Sequence, residues 1–264
     1  MQRLPLSALV TSYNEGALLP RCLEAVAFCD ELIVIDVESS DDTAAVARAH
    51  GAEVVEHPWV PIAEAARVDV ADLARHDWLL VVDPDEIVPP ALAAEVVRLM
   101  PTLESDVAAV DAPRQYYFGG RPLRGTVWGG ANKRRLLVRR SAVELTPRIW
   151  GGMHIHHGYR VVDLPFTADT AIMHLWSTGF ADLIRRHRRY LELEPIDRAD
   201  AGEVTGYRAV FSMPLRSFRE SFWVRSGYRD GLTGLGLSVF WAVFRTLGEL
   251  RLLREIQRRG QPSL

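Results

Sequence analysis

The segment that decides the fold is Leu79-Leu80-Val81-Val82-Asp83-Pro84-Asp85-Glu86. Four apolar residues in a row are typical of a strand buried on both faces, and two carboxylates follow it at spacing i and i+2. Carboxylate oxygens are hard ligands, so the segment predicts a divalent cation, Mg²⁺ or Mn²⁺, held by Asp83 and Asp85. The alternative interpretation is an acidic turn before a helix that opens at Pro89-Pro90.

Upstream of this segment, strand-like and helix-like stretches alternate. The strands are predicted at 6–10, 31–37 and 52–56, and the helices at 18–28, 43–50 and 64–74. Alternation at this spacing predicts βαβ units and a mainly parallel central sheet, which is a Rossmann-like α/β fold. Ser39 or Ser40 is in position to cap the second helix, and Gly51 suits its C-terminal end.

The loops that follow the predicted strands are polar or acidic. They contain residues 11–15, 36–40, 57–59 and 83–86. In parallel sheets, ligands bind beyond the carboxyl ends of the strands. The four loops therefore predict one ligand site, and their carboxylates suit a metal there.

The remainder of the chain divides by pattern. Residues 107–169 indicate a mixed β region with long loops, a usual place for acceptor recognition, and helical spacing returns from residue 181. We expect a nucleotide-sugar-binding half at 1–110 and an acceptor-side region of the same catalytic domain at 111–180. A C-terminal helical region is expected at 181–264.

Composition excludes several classes of protein. The chain has 264 residues, 48% of them apolar, and a net charge of −3, so no general attraction to nucleic acid is expected. No Ser-His-Asp elbow, zinc-type cysteine cluster or Walker loop is present, which disfavours hydrolase, zinc and ATPase functions. A nucleotidyltransferase is disfavoured because residues 11–16 lack a glycine-rich phosphate loop.

The sequence was also searched for segments that could cross or bind a membrane. No stretch reaches about 18 uncharged apolar residues, and the first residues do not resemble a signal peptide. The stretch 232–247 contains Trp241 and Phe244 but is interrupted by Arg245, so it predicts a helix that is buried or lies in a membrane interface. We expect a cytoplasmic protein, with peripheral association at the inner face of the cell membrane as the open alternative.

Three motifs in order resemble the N-terminal signature of family 2 glycosyltransferases, which have the GT-A fold. The motifs are Leu9-Val10-Thr11-Ser12-Tyr13-Asn14-Glu15, then Ile33-Val34-Ile35-Asp36-Val37-Glu38-Ser39-Ser40-Asp41-Asp42-Thr43, then Asp83-Pro84-Asp85-Glu86. The likeness is to the subgroup of lipopolysaccharide-core glucosyltransferases. It implies a metal-dependent hexosyltransferase that moves a sugar from a nucleotide-sugar donor, with UDP the expected nucleotide. The acceptor would be a glycan, a lipid-linked molecule or another compound, and the transfer would invert the sugar.

The resemblance implies a role for each matching residue in nucleotide binding. Thr11, Tyr13 and Glu15 would line the nucleoside pocket, and Asp36 would contact uracil or ribose. Arg67 stands where the family often has a basic residue near the diphosphate. The alternative for Arg67 is a charge on a helix surface.

The resemblance also implies the metal ligands. Asp83 would face the ribose or the metal, and Asp85 would bind the Mg²⁺ or Mn²⁺ directly. His174 follows an apolar strand-like run, where enzymes of this fold often place a further metal ligand. The alternative for His174 is a packed or capped histidine.

The chain departs from the subgroup at two places. Glu38 replaces a small residue, and His154-Ile155 stands where the subgroup has a His-Glu pair. The second departure matters because an inverting transfer needs a general base to take the proton of the acceptor. The missing glutamate leaves open a catalytically inactive protein that binds a sugar nucleotide or a polysaccharide.

Histidines near this departure are the candidate bases. An imidazole with a pKa near 6.5 can take a proton at neutral pH, and on a strand His154 and His156 would share one face while His157 points away. We therefore expect His154 or His156 to be catalytic. The alternatives are that a carboxylate such as Asp163 or Asp169 is the base, or that the histidines only bind backbone or a sugar hydroxyl.

Overall fold

The computed structural model describes residues 3–130, 132–149 and 152–260. The chain forms two compact units, one of Met1–Arg114 with Ala131–Leu175 and one of Gln115–Gly130 with Trp176–Leu264. Every residue that the sequence indicated for nucleotide, metal or base chemistry belongs to the first unit. The division of function at residues 110 and 180 stays a prediction.

The secondary structure of the described residues alternates first and then becomes helical. The strands are β1 (Leu4–Ser12), β2 (Cys29–Val37), β3 (Glu53–His57), β4 (Trp78–Val82), β5 (Glu86–Ile87), β6 (Val107–Phe118), β7 (Arg121–Pro122), β8 (Asn132–Arg139), β9 (Val143–Leu145), β10 (Met153–Ile155), β11 (Arg160–Asp163) and β12 (Ile172–Ser177). The α-helices are α1 (Leu19–Ala25), α2 (Thr43–Ala49), α3 (Ala63–Val70), α4 (Pro90–Leu99), α5 (Phe180–Asp200), α6 (Tyr207–Arg219) and α7 (Gly231–Arg258). A π-helix (Glu220–Val224) continues α6, and short 3-10 helices lie at Ala71–Leu73, Met100–Thr102, Arg140–Ala142 and Gly227–Asp230.

One mixed sheet contains most of the strands. Its order is β3-β2-β1-β4-β8-β6-β12-β5, with β7 and β11 also paired to β6, while β9 and β10 form a separate pair. The strands β3, β2, β1 and β4 are parallel, and β8 adds to β4 in the antiparallel sense. The expected α/β fold of GT-A type, with a parallel central part, a mixed β region and C-terminal helices, is confirmed.

Both faces of the parallel strands are buried, which explains their uninterrupted apolar sequences. On β1, Leu6, Ala8 and Val10 pack in a cluster with residues of α1 and α4. Leu9, on the opposite face, packs with α3. Successive side chains of a strand point to opposite faces, so helices on both sides require apolar residues at every position.

The helix boundaries differ from the sequence expectation in three places. The first helix ends at Ala25 rather than at 28, and the third becomes a 3-10 helix after Val70. The N-cap residue of α2 is Asp42, which makes no side-chain capping bond. The expectation that Ser39 or Ser40 caps this helix is wrong, because both residues contact another loop instead.

The second unit has an aromatic core among its helices. The rings of Trp128 and Trp176 lie 4.6 Å apart between centroids, and His187 meets Phe240 edge to face at 5.1 Å. Burial lowers the pKa of His187, which keeps this imidazole neutral inside the cluster. Among the described residues, one helical stretch, Gly227–Arg258, is long and apolar enough to cross a membrane by length and composition.

Candidate functional site

The carboxyl ends of the four parallel strands lie along one edge of the sheet, as the sequence predicted. Ser12 of β1 is paired with Asp36 of β2, and Val10 of β1 is paired with Val82 of β4. The loop after β1, the loop after β2 and the segment Asp83–Asp85 therefore begin side by side. This edge of the first unit is the candidate site.

The first two of these loops are joined by hydrogen bonds. Asn14 donates its backbone N–H to Ser39 Oγ at 2.9 Å, and Asn14 Oδ1 accepts the backbone N–H of Ser40 at 2.7 Å. The backbone N–H of Gly16 donates to Asp41 Oδ2 at 3.1 Å. The polar residues of the two motifs thus fix the loops against each other, which leaves the neighbouring strand-end residues for a ligand.

The residues expected in the nucleoside pocket differ in exposure. Thr11 and Asp36 are buried, whereas Tyr13 is 47% exposed and Glu15 is half-buried. Asp36 Oδ1 accepts the backbone N–H of Ser39 at 3.1 Å, which orients the carboxylate. The Thr11 hydroxyl is buried and has no hydrogen-bond partner among the described residues. A buried hydroxyl without a partner costs free energy unless a ligand satisfies it, so Thr11 fits a binding role.

Arg67 reaches Asp83 from helix α3. Its guanidinium forms an ion pair with Asp83 Oδ1, and Nη2 of Arg134 lies 3.4 Å from Asp83 Oδ2. Removal from water raises the pKa of the Asp83 carboxyl, but the two guanidinium groups lower it by more, to well below its ordinary value. Arg67 is itself buried, so the interpretation as a helix-surface charge is wrong.

Glu86 accepts hydrogen bonds from the residues around Asp83. It is fully buried and accepts hydrogen bonds from Arg134 Nε at 3.1 Å, Arg114 Nη1 at 3.2 Å and the backbone N–H of Asp83 at 3.1 Å. The sequence interpretation gave no role to Glu86, Arg114 or Arg134. The pattern of β8 gave no signal that singles out Arg134, because Leu136, Leu137 and Val138 are all buried and Arg134 and Arg135 both precede them.

Asp85 and His174 lie together although they are far apart in the sequence. Strand β12 pairs with β5, which places His174 opposite Glu86, and the backbone N–H of Leu175 donates to the Asp85 carbonyl at 2.7 Å. As a result, His174 Nε2 lies 3.4 Å from Asp85 Oδ1.

This pair fits a divalent cation. The described residues contain no group of three or more His, Cys, Asp or Glu side chains that could hold a metal. Mg²⁺, however, is usually held by one or two carboxylates together with phosphates of the substrate, rather than by a complete cage of protein ligands. The carboxylate of Asp85, at the end of a buried strand, is therefore a donor of the kind that Mg²⁺ and Mn²⁺ prefer, and His174 Nε2 lies beside it.

The candidate bases lie apart from this cluster. Strand β10 ends at Ile155, so the strand alternation expected to align His154 with His156 does not extend to His156. Both side chains are exposed, and His154 stands opposite Glu144 of β9. Among the described residues, no hydrogen bond or ion pair joins either histidine to Asp83 or Glu86. Their catalytic role stays a prediction.

Glu64 and Asp163 bear on the alternative of a carboxylate base. Glu64 of α3 lies beside the β9–β10 pair, with its Cγ 3.3 Å from the point that a Cβ on Gly152 would occupy. Burial lowers the pKa of the Arg134 guanidinium, but nearby carboxylates, Glu64 among them, raise it by more. Asp163 is exposed and forms an ion pair with Lys133 at 2.6 Å. Glu64 was not singled out in the sequence.

Comparisons with known proteins identify the family of the chain. A family model described as "Glycosyl transferase family 2" matches residues 7–158. The lipopolysaccharide core biosynthesis glycosyltransferase LpsC of Rhizobium meliloti is 23% identical over 99% of this chain and 97% of its own length. An uncharacterized glycosyltransferase of Rickettsia bellii is 23% identical over 98% of this chain and 89% of its own length.

A solved structure shows a slighter likeness. Glucosyl-3-phosphoglycerate synthase of Mycobacterium tuberculosis is 25% identical, with a TM-score of 0.35, over 43% of each chain. At that TM-score, the likeness supports no conclusion about the residues of the site.

Proposed function

The chain belongs to glycosyl transferase family 2, and we propose that it transfers a sugar, with inversion, from a UDP-sugar to a glycan, lipid-linked or other acceptor. The observation that carries the proposal is the convergence of charged side chains at the carboxyl end of β4. Arg67 and Arg134 meet Asp83 there, and Asp85 meets His174 beside them.

The arginines are suited to the diphosphate of the donor. Guanidinium groups donate several N–H bonds in a fixed plane that matches phosphate oxygens. Arg67 and Arg134 are held in place by Asp83 and Glu86, so they are oriented before a donor binds. Binding of the diphosphate then costs little side-chain entropy.

The nucleoside is assigned to the ends of β1 and β2. Thr11 contributes a buried hydroxyl, and Asp36 contributes a carboxylate that is held by the backbone of Ser39. Tyr13 and Glu15 are the further members of this pocket in the proposal. Tyr13 is exposed enough to stack on a base.

Asp85 and His174 would hold the Mg²⁺ or Mn²⁺, with Asp83 facing the ribose or the metal. When bound, the cation acts as a Lewis acid that stabilises charge on the departing nucleoside diphosphate. The protein side chains would bind the diphosphate and accept the proton of the acceptor. Arg67 and Arg134 bind the diphosphate, and His154 or His156 takes the proton of the acceptor hydroxyl.

A glycan acceptor in the cell envelope is supported by the relative from Rhizobium meliloti, whose name assigns it to lipopolysaccharide core biosynthesis. The matching region covers nearly the whole of both chains, so the acceptor-side residues are part of the likeness. We assign acceptor binding to residues 111–180.

Nucleotide binding tests the proposal most directly. Thermal unfolding should be followed with UDP, GDP and dTDP, each with and without Mn²⁺. A specific ligand at 100 times its Kd stabilises the folded state by about 2.7 kcal/mol, so UDP with Mn²⁺ should raise the melting temperature while the other nucleotides do not. A response to GDP or dTDP instead would reject uridine as the nucleoside.

Turnover separates an enzyme from an inactive binding protein. Labelled UDP-sugars should be incubated with the protein, Mn²⁺ and core glycan acceptors, and the release of UDP should be measured. We expect release that depends on the acceptor. Binding of UDP without any release would favour the catalytically inactive alternative.

A further inference from the structure

Helix α6 leaves an apolar face uncovered. Tyr207, Phe211 and Leu215 recur at intervals of four residues, and Phe211 and Leu215 are 81% and 74% exposed. Met213 and Ser217 of the same helix are buried. Single exposed apolar residues are common on protein surfaces. A row of large apolar side chains along the exposed side of a helix is different, because a continuous apolar patch usually marks a surface for a partner.

Aromatic residues extend this face beyond the end of α6. The rings of Phe218 and Phe222 are stacked at 5.4 Å, Trp223 meets Phe222 at 5.0 Å, and Tyr228 lies 6.1 Å from Trp223. Trp223 is 61% exposed, and Tyr228 is also exposed. Exposed Trp and Tyr side chains have an apolar body and a polar edge, which suits them to the boundary between lipid and water.

The same segment is strongly basic. Residues 207–229 contain five arginines and a single acidic residue, Glu220, in a chain whose net charge is −3. All five arginines are exposed, and none forms an ion pair within the described part of the chain. We call this region the basic-aromatic surface; its members are Tyr207, Phe211, Leu215, Trp223 and Tyr228 with Arg208, Arg216, Arg219, Arg225 and Arg229.

We propose that the basic-aromatic surface docks the protein on an anionic lipid bilayer. The apolar side chains enter the boundary between headgroups and acyl chains, and the arginines bind lipid phosphates. A second copy of the chain is a poorer occupant, because two identical surfaces would bring arginines against arginines. The inference does not rest on the proposed transfer reaction, since docking requires no donor.

This placement differs from the one expected from sequence, which was the stretch 232–247. The aromatic residues that motivated that expectation are turned inwards, because Phe244 is buried and Trp241 packs on Trp128 at 5.4 Å. Arg245 lies 3.6 Å from Glu194, so its charge is partly neutralised within the protein. Helix α7 also exposes aliphatic residues such as Leu232 and Val239, but none of its large exposed side chains is aromatic, in contrast to Tyr207 and Phe211 of α6.

Vesicle flotation with the full chain tests the proposal. Vesicles of phosphatidylcholine alone are compared with vesicles that also contain phosphatidylglycerol, at low and at high salt. We expect binding only to the anionic vesicles, and weaker binding at high salt. The double variant Phe211→Gln/Leu215→Gln should bind at least about tenfold more weakly. Each arginine near the surface strengthens binding about fivefold, so Arg208→Gln/Arg219→Gln/Arg225→Gln should lose about a hundredfold.

Matched controls remove similar groups from the first unit. Leu73 is a large apolar residue that is 61% exposed, and Leu73→Gln should bind as the unchanged protein does. The charge-matched control Arg48→Gln/Arg98→Gln/Arg160→Gln removes three exposed arginines that already have carboxylate partners. Thermal unfolding of each variant shows that it is folded before its binding is compared.

Three results would overturn the proposal. The first is equal binding to neutral and anionic vesicles, or none to either. The second is unchanged binding of the α6 variants together with a loss in Leu232→Gln/Val239→Gln, which would place docking on α7. The third is a dimer in solution that Phe211→Gln/Leu215→Gln converts to a monomer, which would make a second copy the occupant.

Discussion

Arginines of the candidate site and arginines of the basic-aromatic surface lie in opposite environments. Arg67 and Arg134 are largely buried in the first unit and both contact Asp83. Arg219 and Arg225 are exposed in the second unit and have no ion pair among the described residues. A buried guanidinium has lost its water and is tolerated only beside a carboxylate, whereas an exposed one keeps its water. The first set is therefore tied to the fold, and the second is available to an outside partner.

This difference also explains the acidic residues of the site. Glu86 is fully buried, which would be costly for an isolated carboxylate, and it is compensated by Arg114 and Arg134. Asp85 instead lies beside His174, whose Nε2 is 3.4 Å from Asp85 Oδ1. Asp83 and Glu86 of this short segment thus hold arginines, and Asp85 is the proposed cation ligand.

The largest effect is expected at Asp85, the proposed cation ligand. Asp85→Ala should reduce transfer by about 10³-fold or more, because a Lewis-acid cation contributes several kcal/mol to the transition state. The fold should remain intact, and UDP affinity, measured by calorimetry, should no longer depend on Mn²⁺. Asp72→Ala is the control, since this side chain is 91% exposed. Near-normal turnover of the Asp85 variant would show that the metal assignment is wrong.

The paired arginines should matter most for stability. Arg134→Ala leaves the buried Glu86 with one arginine fewer, and removing one partner of a buried ion pair typically costs about 3–5 kcal/mol. Urea denaturation measures the free energy of unfolding, with Arg219→Ala as the exposed counterpart. The exposed variant should change it by less than about 0.5 kcal/mol. Equal losses of unfolding free energy in both variants would contradict the difference between buried and exposed arginines.

The general base should have the next largest effect. His154→Ala or His156→Ala should lower kcat by about 10²-fold or more, while His157→Ala should do far less. A protonated imidazole cannot accept a proton, so the rate should fall as acid protonates the catalytic histidine. Affinity for UDP should survive in all three variants, because the nucleotide is assigned to the ends of β1 and β2.

A carboxylate base predicts a different profile. The rate would stay flat down to about pH 5, and the His154 and His156 variants would both remain active. Glu64→Gln is then the variant to measure, since Glu64 lies beside the β9–β10 pair, and Asp163→Asn and Asp169→Asn are its comparisons. Loss of activity in Glu64→Gln alone would reject the histidine assignment.

Much of the fold could be predicted because its signals are local. The run 79–82 is β4, and the alternation of strands and helices before it gives the parallel part of the sheet. The error at Ser39 and Ser40 has a non-local cause. Both residues match the pattern of a helix cap. In the structure they form hydrogen bonds with the backbone and side chain of Asn14, which lies in another loop.

The candidate site was predictable in part for the same reason. Strand ends and motifs identified Asp83 and Asp85, and the structure places His174 next to Asp85 as the resemblance implied, although the roles of all three stay predictions. Arg134 and Arg114 were missed because they reach the site through antiparallel pairing of β8 with β4 and β6. A sequence shows that a strand exists, but it does not show which strands lie beside it.

The smallest effect is expected from the exposed arginines when no membrane is present. The variant Arg208→Gln/Arg219→Gln/Arg225→Gln removes three charges that touch no carboxylate in the described structure. Glutamine favours helix about as well as arginine, so the free energy of unfolding should change by less than about 0.5 kcal/mol. The affinity for UDP should be unchanged as well. Urea denaturation and calorimetry without lipid measure both quantities. A loss above about 1 kcal/mol would mean that these arginines stabilise the fold, and their contrast with Arg67 and Arg134 would then fail.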